Sequence, residues 1–558
     1  VDFSVLMGPS IREIITQYTD IVGRPALPPY WGLGFHLCRW GYGGVDKASA
    51  VVEAMRVAGV GQDAQWLDID YMQQAHDFSV DPLAYPLGMM RAFVAKLHAQ
   101  GQRFVPIVDP GIAAFPAGAY PPLDEGLAAG VFVLDAGTGA PVKGRVWPGD
   151  TLFPDFLHPA AGDWWTAQLR RFQALLSFDG LWLDMNEPSN FCDGPCDKPT
   201  RPETSCGDFA EADKTCRGGT TEAEVARKGR LFAPWKLRMM GGRKREPAML
   251  PYIPGGRPLE EKTLAMDSVH CVADRWRAQR TAAGCTKAAH LDVHNLYGLS
   301  ETAVTHEALQ SLLPTVRPLI ISRSTFPGAG RFAGHWLGDN CATWEDLRAS
   351  LPGVLTMGLF GLSLVGADIC GFAGATTREL CIRWTQVGAL AYPFARNHND
   401  NVSPAQEPSA WDAEATAMMR AAIATRYRLL PYLYSAFHDA HATGIPVARS
   451  LLLEFQEEAL HAVGGGREML DAIAAVDEQV MMGGALLVTP VLAEGARNVT
   501  GYFPPGRWFA LASGEELRPV PWGSSAPGAE RGSVPGRVQL EAPLDTVPVH
   551  VRGGYVVP

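Results

Sequence analysis

No run of about eighteen consecutive apolar residues exists in this 558-residue chain, so a transmembrane helix is excluded. Basic charge is in deficit: the net charge is −11, which disfavours phosphate polyanions and makes nucleic acid an unsuitable partner. No His-x-His pair is present, and Cys192-x-x-x-Cys196 lacks a second pair at ligand spacing with a His partner, so a structural zinc site is not expected. An initiator Met and a signal peptide are also missing. Val1–Gly8 reads as a strand in mid-domain and Tyr555–Pro558 stops in strand-like sequence, so the chain reads as a fragment.

The length predicts two to four domains, and 47% hydrophobic with 19% charged residues is ordinary for a packed globular protein. Ten cysteines are modest, but six of them crowd Cys192–Cys285. Short-range pairs such as Cys192/Cys196 and Cys370/Cys381 fit disulfides of a secretory-pathway protein, and the sequons at Asn401 and Asn498 point the same way.

Between Tyr30 and His398 one unit repeats: a short apolar strand ends in a polar residue, then a helical stretch usually follows. The predicted strands are Trp31–Leu37, Gln65–Asp70, Arg103–Asp109, Gly180–Asp184, Pro318–Arg323, His335–Asp339, Leu362–Asp368 and Ala391–His398. Amphipathic helices are predicted over Lys47–Val57, Met89–Gln100, Trp164–Leu176 and Arg378–Leu390. Eight such units imply an α/β fold, a (β/α)8 barrel over 28–443, with excursions at 110–151 and 192–290. About a dozen Gly- and Pro-rich residues between the fifth and sixth strands leave no room for a full helix. The basic stretch Arg227–Arg245 reads as a solvated loop. From residue 444 to 558 the runs are short and β-rich, and a C-terminal antiparallel β-sandwich is expected; residues 1–27 are the partial N-terminal β segment.

Strand parity places Trp66, Asp68 and Asp70 on one face, Trp182 with Asp184, Ile321 with Arg323, and Phe394 with Arg396 and His398. The inward set ends in charge at the C-terminal rim in seven of eight strands. Barrel enzymes keep their active sites at that rim. The most informative stretch is Gly180-Leu-Trp-Leu-Asp-Met-Asn-Glu-Pro-Ser-Asn190, where an apolar strand stops at Asp184. Burying a carboxylate there costs energy unless it is paired or used. A second rim carboxylate, Asp339, follows Gly334-His-Trp-Leu-Gly338.

These segments resemble the nucleophile and acid/base motifs of glycoside hydrolase family 31, the retaining α-glucosidases. Pro28–Tyr42, Trp66–Tyr71, Arg323–Phe326, Gly366–Phe372 and Arg396–His398 extend the resemblance over nearly the whole chain. It implies Asp184 as the nucleophile that forms a covalent glycosyl intermediate and Asp339 as the acid/base. Glu187 is implied either as a direct catalytic contributor or as the carboxylate that holds the nucleophile loop or Arg323. Trp40, Asp68, Ile107, Asp109, Trp147, Trp182, Met185, Arg323, Trp336, Asp368, Phe372 and His398 map onto the family's pocket for the non-reducing glucose. The implied activity is exo-hydrolysis of terminal α-1,4-linked glucose from maltose, malto-oligosaccharides, starch or glycogen, with no cofactor and no metal. The implied setting is the lysosome, vacuole or extracellular space. Alternatives are an N-glycan-trimming glucosidase II-like enzyme, a non-catalytic carbohydrate-binding relative, a glucan lyase, and a metal-dependent barrel hydrolase that uses Asp68, Asp70, Asp109 and His398.

Overall fold

The computed structural model describes residues 4–194, 196, 259–274, 284–461, 466–517 and 536–557. Nine short parallel strands build the barrel: β1 Phe35–Leu37, β2 Ala64–Leu67, β3 Arg103–Val108, β4 Gly180–Leu183, β5 Leu319–Ser322, β6 Gly334–Trp336, β7 Val365–Gly366, β8 Asp368–Ile369 and β9 Ala395–Asn397. Their order is β7-β6-β5-β4-β3-β2-β1-β9-β8. The two ends of that order, β7 and β8, are halves of one stretch interrupted at Ala367, so this stretch closes the sheet into a barrel. Runs such as Leu319-Ile-Ile-Ser are buried along their whole length, as strands covered on both faces must be.

The expected strands are all present but shorter, and most of the C-terminal polar residues lie outside the ladder; Asp368, paired within β8, is the exception. Asp184, Arg323, Asp339 and His398 stand just beyond their strands. Two readings are corrected. Trp31 lies in a 3-10 turn, Tyr30–Leu33, and Asp70 lies in another, Ile69–Tyr71. Asp70 therefore does not share a strand face with Asp68. It accepts hydrogen bonds from the Gly41 amide and the Tyr85 hydroxyl instead.

Helices cover the barrel at Val45–Val57, Leu87–Ala99, Ala161–Leu175, Trp344–Leu359 and Arg378–Ala391. The last two start at Thr343 and Thr377, whose side chains accept from the third helical amide and satisfy an orphan donor. Between β5 and β6 only the 3-10 turn Ala329–Arg331 fits, as the spacing predicts.

The N-terminal β segment is corrected. Residues 4–8 form no strand, and Ile11–Val22 is a helix. Ser10 and Glu13 form a reciprocal capping box, a local start signal that overrides the strand-like alternation before it.

After the 31-residue helix Ala413–Thr443, Gly444 takes a left-handed conformation (φ 83°) and ends it. A six-stranded antiparallel sheet and a two-stranded one follow. The β-rich reading of this region missed two helices, Leu451–His461 and Gly466–Ala474, which pack Phe455 and Met469 into the same core as Met481, Leu487 and Trp508. Fully buried Arg383, on the helix Arg378–Ala391, donates to the carbonyls of Ala542 and Thr546, at 2.7 and 2.8 Å.

The chain divides into two compact units. One comprises Val1–Pro110, Ala161–Glu187 and Asn295–Pro558, and so contains the barrel and the C-terminal sheets. The other joins both excursions, Gly111–Ala160 and Pro188–His294. Within this second unit, Lys143–Val146, Gly149–Leu152 and Ile112–Ala113 form a small antiparallel sheet. A hairpin, Val269–Ala273 with Cys285–Ala289, is stapled by the Cys271–Cys285 disulfide. Asp155 accepts from the Nδ1 of His270, whose Nε2 pairs with the Nδ1 of His290, each at 2.9 Å. The expected pairs Cys192–Cys196 and Cys370–Cys381 are both bonded. Arg227–Arg245 lies outside the described residues.

Candidate active site

The C-terminal strand ends of the barrel unit converge on one cluster of carboxylates, guanidiniums and aromatic rings. Asp184 follows β4, and the next residue, Met185, holds φ +57°, a conformation that non-glycine residues rarely adopt. Such strain persists where the surroundings over-determine it, and here they do. Arg323 Nη1 lies 2.8 Å from Asp184 Oδ1. Its Nε and Nη2 grip both oxygens of Glu187 at 2.9 and 3.0 Å, and Nη2 also contacts the Met185 sulfur at 3.1 Å. One guanidinium thus ties down the whole turn after β4. The Asn186 side chain completes it, donating to Ser322 Oγ and accepting from the Ser324 amide.

Burial pushes the Asp184 carboxyl upward, and Arg323 opposes that push. Asp339 has weaker compensation. Crowding by protein, then the charge of Asp184, moves it up to about 7. The residue keeps an exposed face, so water screens part of that effect. The two carboxyls therefore diverge: Asp184 is held beside a cation, while Asp339 tends to keep its proton.

Below them lies a buried ion pair. Asp368, after Ala367, receives Arg396 Nη2 at 2.7 Å, and both side chains are 1% exposed. Rings of Trp66, Trp182 and Trp336 surround the Arg396 guanidinium at 4.9, 4.5 and 5.2 Å. Desolvation still raises Asp368 to about 6, ahead of the opposing effect of Arg396. Its Oδ2 has no partner among the described residues.

His398, after β9, is held edge-on to Trp182 and against Phe372, with its Nε2 3.4 Å from Asp68 Oδ2. Burial pushes its imidazole well down, so it is neutral. Asp68 is buried and its carboxyl is pushed well up by desolvation, then by Asp70. Trp40 lies parallel to Phe372 with centroids 6.5 Å apart. Ile107 is buried on β3, and Asp109 beyond it accepts no bond at Oδ1 among the described residues, while its amide donates to Asp77. Trp182 and Trp336 meet edge to face at 5.4 Å, and neither indole N–H has a partner among the described residues.

Every predicted pocket residue except Trp147 thus belongs to the barrel unit. Trp147 lies in the second unit, edge-on to Phe191. Among the described residues, the group with metal-ligand spacing is Cys38, Asp68 and His398; the four residues weighed for a metal-dependent hydrolase do not form one. A cleft of about 860 Å3 at the N-terminal strand ends, lined by Trp31, His98, Arg103 and Asp179, contains none of the rim carboxylates.

Sequence reasoning missed three contributors. Arg396 shares the inward face with His398, and that parity was the signal for it. Asn186 and Glu301 carried no signal. Glu301 lies on the helix Tyr297–Leu312 and is fully buried beside Asn186. Burial pushes its carboxyl well up, a hydrogen bond with Asn186 opposes that, and the charges of Asp109, Glu187 and Asp184 add to the rise.

A family model described as the glycosyl hydrolases family 31 TIM-barrel domain matches residues 25–436, and one for the glycosyl hydrolase family 31 C-terminal domain matches 444–557. The chain is 42% identical over 566 residues to the lysosomal alpha-glucosidase of Mus musculus, across 100% of this chain and 51% of the relative. It is 39% identical over 558 residues to a probable alpha-glucosidase of Oryza sativa subsp. japonica, across 100% of this chain and 53% of the relative. A crystal structure of glucosidase II alpha subunit superposes with a TM-score of 0.75 at 27% identity, covering 98% of this chain and 48% of that one. The chain spans about half the length of the curated relatives it matches.

Proposed function

We propose that this chain, which belongs to glycosyl hydrolase family 31, is the catalytic part of a retaining exo-α-glucosidase. Its substrates are terminal α-1,4-linked glucose units of maltose, malto-oligosaccharides, starch or glycogen. The observation that carries the reading is the opposed setting of two rim carboxyls, Asp184 against Arg323 and Asp339 pushed up to about 7.

In the first step Asp184 Oδ attacks the anomeric carbon while Asp339 gives its proton to the leaving oxygen, and a covalent glycosyl-enzyme forms. In the second, the Asp339 carboxylate takes a proton from water, water attacks the same carbon, and Asp184 leaves. Retention by this route needs carboxyls about 5–5.5 Å apart. Glu187 acts through Arg323 rather than on the sugar, since both its oxygens are occupied by that guanidinium. Asp68, Asp368 and His398 offer hydrogen bonds to ring hydroxyls, and Trp40, Trp182, Trp336 and Phe372 offer apolar faces to a pyranose.

Barrel boundaries at 28 and 443 and a C-terminal domain over 444–558 go with this reading, as does a secretory-pathway setting. Three disulfides among the described residues and exposed Asn498 support that setting. No helix among the described residues is long and apolar enough to cross a membrane. A glucosidase II-like trimming enzyme is the second reading, favoured by the superposition at TM-score 0.75. A non-catalytic relative is disfavoured because both carboxyls are present.

The test is glucose release from maltose by the intact protein beside Asp184→Asn, with the anomer of the first-formed product read by NMR. α-Glucose from the wild type and a loss of several orders of magnitude in the variant support the reading. β-Glucose, an anhydro-sugar, or release only from N-glycans overturns it.

A further inference from the structure

Cys38 stands just past β1, and its amide donates to Asn397 O at 2.9 Å. It is therefore the strand neighbour of His398, while Asp68 lies past β2 on the other side of β1. Three adjacent strands thus deliver a thiol, an imidazole and a carboxylate to one point. One ligand atom from each lies within 4.8 Å of the others, and all three residues are buried. Cys38 is in no disulfide. His398 Nε2 and Asp68 Oδ2 are 3.4 Å apart. Two ligands bonded at about 2.0 Å to a tetrahedral ion are about 3.3 Å apart, so this edge already has the required length.

We propose that Cys38, Asp68 and His398 bind a thiophilic divalent cation, Zn2+ by ligand chemistry, and that the bound ion blocks the sugar pocket. One sulfur, one nitrogen and one oxygen are a borderline-soft set, unsuited to Mg2+ or Ca2+ and suited to zinc. Three protein ligands leave a coordination position open. The ion is an inhibitor and not a cofactor, because it takes up Asp68 and His398, the side chains offered to sugar hydroxyls. Binding releases the Cys38 thiol proton to solvent as the Zn–S bond forms, and the Asp68 carboxyl gives up any proton it holds as its oxygen takes the ion. Burial holds the thiol protonated in the free protein, while nearby Arg396 favours the thiolate. His398, kept neutral, needs no deprotonation.

The binding half of the proposal is independent of the glucosidase reading, and the competition half rests on it. Binding is tested with Co2+ as a spectroscopic stand-in and Zn2+ by equilibrium dialysis, on the intact protein beside Cys38→Ala and Cys38→Ser. Melting temperatures establish that the variants fold. Stoichiometric Co2+ uptake with a near-ultraviolet thiolate-to-cobalt band is expected. Loss of that band and Zn2+ affinity weaker by at least about tenfold in both variants are also expected. A folded wild type without the band, or variants that bind Zn2+ as tightly as it does, overturns the site. Zn2+ should raise KM for maltose with kcat unchanged, and Cys38→Ala should relieve this. Zn2+ bound at the site with unchanged KM overturns the blocking role alone.

Discussion

Arg323 Nη1 stands 2.8 Å from Asp184 Oδ1, and the same guanidinium holds both oxygens of Glu187. A planar fork on three acceptors cannot be copied by an ammonium. Arg323→Lys should therefore lower kcat/KM by about 10²–10³. The pH profile carries the more diagnostic change. Arg323 lowers the Asp184 carboxyl against burial, and the nucleophile must be ionised. Weakening that partner raises Asp184, so the acid limb should move to higher pH. An unmoved limb would show that Arg323 serves only the fold.

Asp339 must be protonated to act as an acid. With its carboxyl near 7, maltose hydrolysis should fall as pH rises through that region. Asp339→Asn should abolish this alkaline limb and lower kcat/KM for maltose by about 10²–10⁴. Aryl glucosides whose leaving groups need no proton should lose far less in their first step. Equal losses on both substrates would contradict the acid role.

The eight strands and most of their inward parity were legible in the sequence, because a closed barrel forces apolar alternation and its rim collects polar residues near the end of each run. Asp184, Asp339, Arg323 and His398 could be found in this way. Asp70 was misplaced because parity was carried past Leu67, where the strand ends, into the Ile69–Tyr71 turn. Arg396 was on the right face, yet its tryptophan cage joins three strands distant in sequence, which no local pattern encodes. Glu301 sits in a helix as an ordinary charged residue, and only tertiary packing buries it. The N-terminal helix was missed because Val1–Gly8 alternates like a strand while the capping box starts only at Ser10.

Glu301 offers a stability test. Its folded carboxyl is raised above the usual glutamate range, so its contribution is fully present below about 4.5 and is lost as pH rises toward the folded value. Glu301→Gln mimics the protonated form without that loss. The variant should match the wild type near pH 4 and exceed it at pH 7 in urea unfolding. A deficit that is the same at both pH values would contradict a buried, proton-holding carboxyl.

His290 has the opposite sign. Burial, then His270 and His294, lower it to about 2. The unfolded imidazole charges below about 6.5 and the folded one does not, so stability is lost as pH falls from there. The loss should approach about 2–3 kcal/mol at pH 4.5 for the second unit. His290→Asn cannot charge, and its melting temperature should fall less between pH 7 and 4.5 than that of the wild type. Parallel slopes would remove His290 from the acid response.

The central claim is that Asp184 becomes covalently glycosylated. Incubating the intact protein with a 5-fluoro-glucosyl fluoride, which slows the second step, and mapping the label by peptide mass spectrometry tests it directly. The account predicts one glycosyl adduct, on Asp184, formed with loss of activity and absent in Asp184→Asn. A label on Asp339 or Glu187, or inactivation-free turnover with inversion at the anomeric carbon, would contradict it.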